Sequence, residues 1–352
     1  MQKPTAKTGW ASVVIMLSFA LAGAVPASAA QSAWELQLIA LDGRPVALEL
    51  ARGKKRLSRV RILLADGTWR KLSDCASGIC AKPLSSRRAA AHVPKGALPD
   101  AVVSTGRRNI HRAWLAGPTK RYGHGVLGDA VEAESLVAVD RLRRAHHFRL
   151  DLQSVFEDRH ARIADVDDDG EDEIVVVRSY LDRGAALAVV ALGPEGLKLA
   201  AETRPIGLPH RWLNPAGIAD FDGDGKTEIA IVVTPHIGGR LEFWRYDGRT
   251  LRRKMSLRGF SNHFIGSRVQ NMSAAADLNG DKQVELALPS ADRRTLRIVS
   301  YTGGKVAEPG RIGLPGEVVT QIVAVRVSRK GGVVLVFGLS TGALAIVSYK
   351  SN

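Results

Sequence analysis

The chain has 352 residues, with 50 Lys and Arg against 35 Asp and Glu, which gives a formal net charge of +15. Hydrophobic residues make up 45% of the chain and charged residues 24%, and this balance excludes intrinsically disordered, collagen-like and coiled-coil proteins. Only one segment is apolar over a length that could enter a membrane, so a polytopic membrane protein is excluded as well.

That apolar segment, at the N-terminus, has the pattern of a secretory signal peptide. Lys3 and Lys7 precede an apolar run over residues 10–25, and small residues follow it over residues 26–30. The run is shorter than the ~20 residues of a membrane-spanning helix, which disfavours the alternative of an uncleaved anchor. We therefore predict a signal peptide over residues 1–30, an exported protein that is periplasmic or secreted, and no transmembrane segment after cleavage.

The next region, residues 31–105, is predicted to contain blade-like strands followed by a surface loop. Apolar runs at residues 59–64 and 69–72 flank the turn Ala65-Asp66-Gly67, a pattern typical of a β-hairpin. Residues 75–105 are rich in Ala, Ser, Pro and Arg. We expect this stretch to form a surface insertion.

Cys75 and Cys80, the only two cysteines of the chain, begin this insertion. An oxidising compartment favours a disulfide between two cysteines this close in sequence. A haem-attachment motif is excluded because the spacing differs and no His follows Cys80, and a metal knuckle would need more ligands than the neighbourhood offers. We predict a disulfide with a local stabilising role, since closing so short a loop removes little chain entropy.

Three acidic segments recur at intervals of 55 and 57 residues, and they begin at Asp165, Asp220 and Asp277. Each follows an Ala and precedes an apolar run, and a turn between two further apolar runs comes after it. One unit therefore predicts about four short strands in ~55 residues, the size of a β-propeller blade.

The last unit predicts how the repeats are completed. Residues 346–349 repeat residues 298–301, the third strand of the preceding unit, so the last blade lacks an outer strand. Because a bare sheet edge invites pairing with other chains, we predict that an N-terminal strand at residues 34–40 or 46–50 closes this blade. The predicted fold is an all-β propeller of about six or seven four-stranded blades, with residues 106–352 forming the repeats.

Two further segments keep the strand pattern without the acidic residues. Residues 325–336 align with residues 277–288 but carry Arg326, Ser328, Arg329 and Lys330 in place of an acidic loop, and residues 126–139 retain only Asp129. We expect strands and no metal site in either segment.

The acidic segments offer oxygen ligands at positions 1, 3, 5 and 9, counted from the first Asp. Gly170 and Gly225 at position 6 allow the sharp turn that such a loop needs. Oxygen ligands without His or Cys favour calcium over transition metals. An EF-hand is excluded because position 12, where it needs a Glu, falls within apolar strands. The predicted ligands of up to three structural Ca²⁺ ions are Asp165, Asp167, Asp169 and Glu173; Asp220, Asp222, Asp224 and Glu228; and Asp277, Asn279, Asp281 and Glu285.

The loops and their spacing resemble the FG-GAP/VCBS repeats of integrin α-subunit-type β-propellers. The resemblance extends over residues 126–349, and it implies that the loops join the first two strands of a blade and bind calcium. Lys282 replaces the glycine at position 6 of the third loop, and Asn279 replaces an Asp, so we expect the weakest binding there. The Phe-Gly and Gly-Ala-Pro elements that name the family are not intact in these units.

Five histidines lie in or near the predicted loops: His124, His160, His210, His236 and His263. Their recurrence suggests a metal or acid–base site. Their spacing to the next acidic segment varies, however, and this favours unrelated positions at the blade edges.

No nucleophile motif, P-loop or dinucleotide fingerprint is visible, and no nucleic-acid-binding module is recognised. Basic patches such as residues 54–56 and 141–144 could hold an anionic polymer, although a solvated face is favoured. We predict a monomeric, non-catalytic, calcium-stabilised propeller that binds a protein or an anionic glycan of the cell envelope or the extracellular space. The alternative is a polysaccharide lyase or hydrolase on the same scaffold.

Overall fold

The structure is a computed structural model that describes Met1 and residues 33–51, 56–76, 78–85, 93–327 and 332–350. Its contacts divide the chain into Met1–Ser32 and a compact unit, Ala33–Asn352. The predicted signal peptide, residues 1–30, lies outside the described residues apart from Met1. In the ranges just given, no helix is long and apolar enough to span a membrane.

The N-terminal part of the compact unit consists of five strands and a turn of 3₁₀ helix at Leu57–Arg59. The strands are β1 (Trp34–Ala40), β2 (Pro45–Leu50), β3 (Val60–Leu64), β4 (Trp69–Cys75) and β5 (Gly78–Pro83). Strands β2 to β5 form an antiparallel sheet in chain order, which we call the N-terminal sheet. The hairpin predicted around Ala65-Asp66-Gly67 is confirmed as β3 and β4.

The predicted disulfide between Cys75 and Cys80 is confirmed, with the two Cα atoms 6.0 Å apart. It joins β4 to β5 across their tight turn. The predicted surface insertion does not begin at Cys75, because Gly78–Pro83 pairs with β4 as the edge strand of the N-terminal sheet. Half-exposed edge strands need few apolar residues, so this one has no clear sequence signature.

The middle of the chain forms one nine-stranded sheet. Its first four strands, β6 to β9, and its last four, β11 to β14, are linked by β10, which pairs with both β8 and β12. The strands are β6 (Ser104–Thr105), β7 (Ile110–Thr119), β8 (Glu132–Asp140), β9 (Ala145–Arg149), β10 (Ser154–Phe156), β11 (Arg162–Ala164), β12 (Glu173–Tyr180), β13 (Gly184–Gly193) and β14 (Gly196–Glu202).

Three four-stranded antiparallel sheets contain the remaining strands. The first contains β15 (Leu213–Ala219), β16 (Glu228–Val233), β17 (Arg240–Tyr246) and β18 (Leu251–Arg258). The second contains β19 (Ala274–Ala276), β20 (Glu285–Pro289), β21 (Thr295–Thr302) and β22 (Lys305–Gly313). The closing sheet contains β23 (Val323–Arg326), β24 (Val333–Gly338), β25 (Ala343–Tyr349) and β1.

The predicted pairing of an N-terminal strand with the last strand is confirmed by β1. It runs antiparallel to β25, with Trp34 opposite Tyr349 and Ala40 opposite Ala343. The indole N–H of Trp34 donates to the carbonyl of Pro309 at 2.8 Å, and its ring packs edge-on against Tyr349. The other candidate, residues 46–50, belongs to the N-terminal sheet instead.

Apolar clusters between successive sheets form the core. A strand such as β16 is buried on both faces, which explains its nearly continuous run of apolar and β-branched residues. Successive side chains of such a strand point to opposite faces of its sheet, so they pack against different neighbouring sheets. The clusters join the nine-stranded sheet to β15–β18 (Val175 and Ile231), β15–β18 to β19–β22 (Val232 and Leu286), β19–β22 to the closing sheet (Ile298 and Leu335), and the closing sheet to the N-terminal sheet (Val336 and Ile62).

Candidate metal sites and an opposite histidine face

The three acidic segments form loops between paired strands. Loop 1 (residues 165–173) follows β11, loop 2 (residues 220–228) follows β15 and loop 3 (residues 277–285) follows β19. In each loop the Glu at position 9 accepts the backbone N–H of position 2 at 2.8–3.0 Å, from Val166, Phe221 and Leu278 respectively. The Asp at position 1 accepts the N–H of position 6 at 2.9–3.1 Å. The loops therefore share one backbone conformation.

Position 6 requires a left-handed backbone, as the glycine pattern predicts. Gly170 has φ of 97° and Gly225 has φ of 86°, whereas Lys282 adopts φ of 74° at the same position. A residue with a Cβ is strained in this region. At position 6, loop 3 thus has a backbone strain that the glycines of the other two loops avoid.

Loop 1 has the features of a cation site. Asp165, Asp167 and Glu173 each present a carboxylate oxygen within 4.8 Å of the others. The side chain of Asp165 is only 8% exposed, and among the described residues its Oδ1 and that of Asp167 have no hydrogen-bond partner. Desolvation, together with the neighbouring carboxylates, raises the pKa of Glu173 to about 7. Hard oxygen donors that face one another without a partner fit a divalent cation of the calcium type.

The predicted ligand Asp169 is outside this cluster. The cluster is also contacted by an arginine from another pair of strands, which the sequence did not indicate. Arg108, in the turn between β6 and β7, forms an ion pair with Asp165. The backbone N–H groups of Arg107 and Arg108 also donate to Asp172, at 3.1 and 3.0 Å. The turn after β6 therefore packs against loop 1.

This contact corrects the alignment of residues 126–139 with the acidic loops. Asp129 lies in the loop between β7 and β8, at the other end of β7 from the turn that touches loop 1. It accepts from Val131 and pairs with Arg268. The turn that contains Asp129 resembles a shortened acidic loop in sequence. The turn that corresponds to loop 1 is instead one strand earlier, between β6 and β7.

Loop 2 forms a second carboxylate cluster from Asp220, Asp222 and Glu228. Here an arginine of the neighbouring strand enters the cluster. Arg245 on β17 pairs with Asp222 at 3.1 Å, with Asp224 at 2.7 Å and with Glu228. The hydrogen bond from Arg245 lowers the pKa of Asp224.

Loop 3 differs from the other two in its third position. The amide of Asn279 donates to Asp281 at 2.9 Å, and its oxygen accepts the N–H of Asp281. Burial raises the pKa of Glu285. Within the described ranges, this loop forms no cluster of three carboxylates, so only two of the three predicted sites bring three acidic ligands together.

Four of the five histidines meet at the ends of the strands that point away from the acidic loops. His124 lies in the loop after β7, His210 before β15, His236 after β16 and His263 before β19. The rings of His124 and His210 stack with centroids 5.1 Å apart, and His236 Nε2 lies 2.8 Å from His263 Nδ1. The interpretation that these residues occupy unrelated positions is therefore wrong for these four.

Buried groups connect the two histidine pairs. His124 Nδ1 lies 2.6 Å from Oε1 of Glu157, a fully buried carboxylate whose other oxygen accepts from Ser179 at 2.5 Å. The indole of Trp212 donates to the Glu157 carbonyl at 3.0 Å and stacks on His236. We call His124, His210, Trp212, His236 and His263, with their loops, the histidine face. His160 is outside it and bridges to Val102.

The fixed hydrogen bonds of this face set the protonation of its rings. His263 Nε2 donates to the carbonyl of Ser267 at 2.8 Å, so its Nδ1 accepts from His236. Burial lowers the pKa of His263 to about 3 and that of His236 to about 4. Both rings are therefore neutral near pH 7.

Exposed aliphatic side chains surround the histidine face. Leu208, Ile237 and Ile265 lie on its loops and are 58%, 59% and 69% exposed. The loops touch one another: the Tyr122 hydroxyl accepts the N–H of His210, and Gly266 donates to the carbonyl of Val126. The loops that carry Leu208 and Ile265 therefore both contact the loop after β7.

A search with models of known protein families finds no match to this chain, and a search of curated proteins finds none either.

Proposed function

We propose that residues 33–352 form a β-propeller of six four-stranded blades. The nine-stranded sheet supplies two sets of four strands, and each of the four other sheets supplies one set. Core clusters join the nine-stranded sheet to β15–β18, β15–β18 to β19–β22, β19–β22 to the closing sheet, and the closing sheet to the N-terminal sheet. Such repetition of antiparallel sheets is typical of propellers. The resemblance to FG-GAP/VCBS repeats supports the same arrangement.

Calcium is the proposed ligand of loop 1, where it would be held by Asp165, Asp167 and Glu173. When bound, the ion would add to the positive charge that Arg108 provides at Asp165, and it would stiffen the turn between β11 and β12. Its role would be structural, since the cluster lies at the opposite end of the strands from the histidine face. The predicted ligands Asp277, Asn279, Asp281 and Glu285 stay a weaker candidate site.

We propose that the protein is exported and acts as a non-catalytic module that binds a protein or an anionic glycan through the histidine face. The observation that carries this proposal is the exposure of Leu208, Ile237 and Ile265 on touching loops. Aliphatic groups grouped in this way on a soluble surface mark contact sites. Loops on a rigid strand scaffold are the usual place for recognition.

Site-specific cross-linking tests the proposed binding surface. A photoreactive residue replaces Ile237 in one variant and Leu142 in another; Leu142 is 71% exposed and lies after β8, at the end of the strands near loop 1. We expect a discrete cross-linked partner only from position 237. Equal cross-linking from both positions, or from position 142 alone, would contradict the proposal.

A second candidate function, a polysaccharide lyase or hydrolase, is favoured by the pair His124 and Glu157. A carboxylate that orients an imidazole prepares the other ring nitrogen to act as a base. Nearby Glu132 is 2% exposed, and desolvation with the charge of Glu157 raises its pKa to about 9, so it can donate a proton at neutral pH.

Incubation with a panel of anionic polysaccharides separates the two candidates. Retention of a polysaccharide without a change in its chain length supports binding. Shortened products that the wild type forms and Glu157→Gln does not form would contradict the binding module and support the enzyme.

A further inference from the structure

Arg245 distinguishes loop 2 from the other acidic loops. It lies on β17 directly opposite Glu228 on β16, so its side chain starts next to the last carboxylate of the loop. Its guanidinium bonds to Asp222, to both oxygens of Asp224 and to Glu228. One fixed positive charge thus contacts three of the four residues that the sequence predicts as ligands.

The remaining oxygens of loop 2 leave a metal ion few free partners. Glu228 Oε2 accepts the N–H of Phe221 at 2.9 Å, so Oε1 is the oxygen left for an ion, and Arg245 bonds to it. In loop 1, by contrast, two buried carboxylate oxygens have no partner within the described structure. Charge-assisted bonds between guanidinium and carboxylate are among the stronger hydrogen bonds in proteins.

The other two loops have no arginine at this register. Ile174 pairs with Val190, so Ala191 follows at the level of Glu173. Leu286 pairs with Val299, so Ser300 lies at the level of Glu285. Neither residue can supply a charge at this register. The arginine that reaches loop 1, Arg108, comes from the turn after β6 and pairs with Asp165. Two carboxylate oxygens of loop 1 still have no partner in the described structure, whereas Arg245 contacts three carboxylates of loop 2.

We infer that Arg245 is a built-in counter-cation that occupies loop 2 in place of calcium. The inference rests on the proposed calcium site of loop 1, because it concerns the choice between the two loops. Calcium must displace the guanidinium from its carboxylates to bind at loop 2, and this competition makes loop 2 at least ten times weaker than loop 1. Asn279 and Lys282 predict that loop 3 has the weakest calcium affinity. Arg245 lowers the calcium affinity of loop 2 below that of loop 1 for a separate reason.

Calcium titration by calorimetry tests the inference in the purified wild-type protein and three variants. Arg245→Ala should add one binding site or tighten one at least tenfold. Ala191→Arg places an arginine at the equivalent register beside loop 1 and should remove one site. Arg252→Ala is the matched control, because Arg252 lies opposite Arg245 on β18 and is largely exposed, with a partner at Asp247 instead of loop 2.

Adding Asp220→Ala to Arg245→Ala assigns the gained site to loop 2, since that site should then disappear. A melting curve gives a second readout: Arg245→Ala should melt lower than wild type in EDTA and recover in calcium, as its carboxylates lose one counter-cation and gain another. A loop 2 affinity that is the same in wild type and Arg245→Ala would overturn the inference while leaving calcium at loop 1. Absence of calcium binding in every variant would overturn the proposed metal site and the inference together.

Discussion

Replacing Asp158 with asparagine is predicted to destabilise the protein by about 3–5 kcal/mol. The carboxylate is fully buried, and its Oδ2 accepts from Arg162 at 2.6 Å and from the N–H of Val177 at 3.1 Å. Its Oδ1 accepts from the side chain of Gln270 and from two backbone N–H groups. This one side chain therefore ties the segment after β10 to β12 and to the loop before β19.

The magnitude follows from what the amide cannot do. Asparagine keeps one acceptor oxygen, but its NH₂ group replaces Oδ2 and faces two donors. The protein loses the charge-assisted hydrogen bond to the half-buried guanidinium of Arg162, which costs about 1.5–3 kcal/mol. The Val177 N–H is left unsatisfied as well.

Urea unfolding is the assay, with the midpoint concentration as the readout. The matched control is Asp42→Asn, because Asp42 also pairs with an arginine, Arg70, but its side chain is 63% exposed; its midpoint should not change measurably. A midpoint for Asp158→Asn within error of the wild-type value would refute the assignment of Asp158 as a structural centre.

The acid dependence gives a second measurement on the same residue. Burial alone would raise the pKa of Asp158, but the charge and hydrogen bond of Arg162 hold this pKa below its ordinary value. A depressed pKa stabilises the folded state above the unfolded-state value near 4, and this contribution is lost as the pH falls through the folded pKa. Wild type should therefore lose more stability than Asp158→Asn below about pH 4.

Three further measurements test other parts of the structure. Calcium at 1 mM should stabilise the protein by about 1.4 kcal/mol per site of Kd ~10⁻⁴ M, or about 2 °C in Tm, and Asp165→Ala should remove part of this shift; an identical Tm in EDTA would contradict it. Trp34→Ala should cost about 3–5 kcal/mol through the cavity it leaves, whereas Leu38→Ala should cost little because Leu38 is 46% exposed. Because the pKa of buried His263 is lowered to about 3, this residue by itself should lower the stability by about 2 kcal/mol from pH 7 to pH 5, and His263→Asn should make the fall in stability less steep by that amount.

The strand order was largely predictable because its signals are local. The apolar run after Asp220 and the turn at Asp247 and Gly248 each specify a strand or a hairpin within a few residues. The closing strand could be predicted because one sheet lacked a partner for its edge. The edge strand β5 was missed because half-exposed residues such as Lys82 give no alternating apolar pattern.

The residues that complete the sites were harder to predict, because they come from elsewhere in the chain. Arg108 reaches loop 1 from a different pair of strands, and no local sequence pattern predicts this contact. Arg245 lies opposite Glu228 because the connection at residues 234–239 sets the register of β16 and β17. The histidines have unequal spacing because the loops that carry them differ in length, while the strand topology still brings His124 and His210 together.

The pairing of β1 with β25 also determines when the protein can finish folding. The two strands come from opposite ends of the described chain, so a ribosome must make nearly all of it before Trp34 can meet Tyr349. Closing so long a loop adds only a logarithmic entropy cost at equilibrium, but contacts this distant in sequence form slowly. A growing chain consequently stays incomplete at its last sheet until β25 has been made.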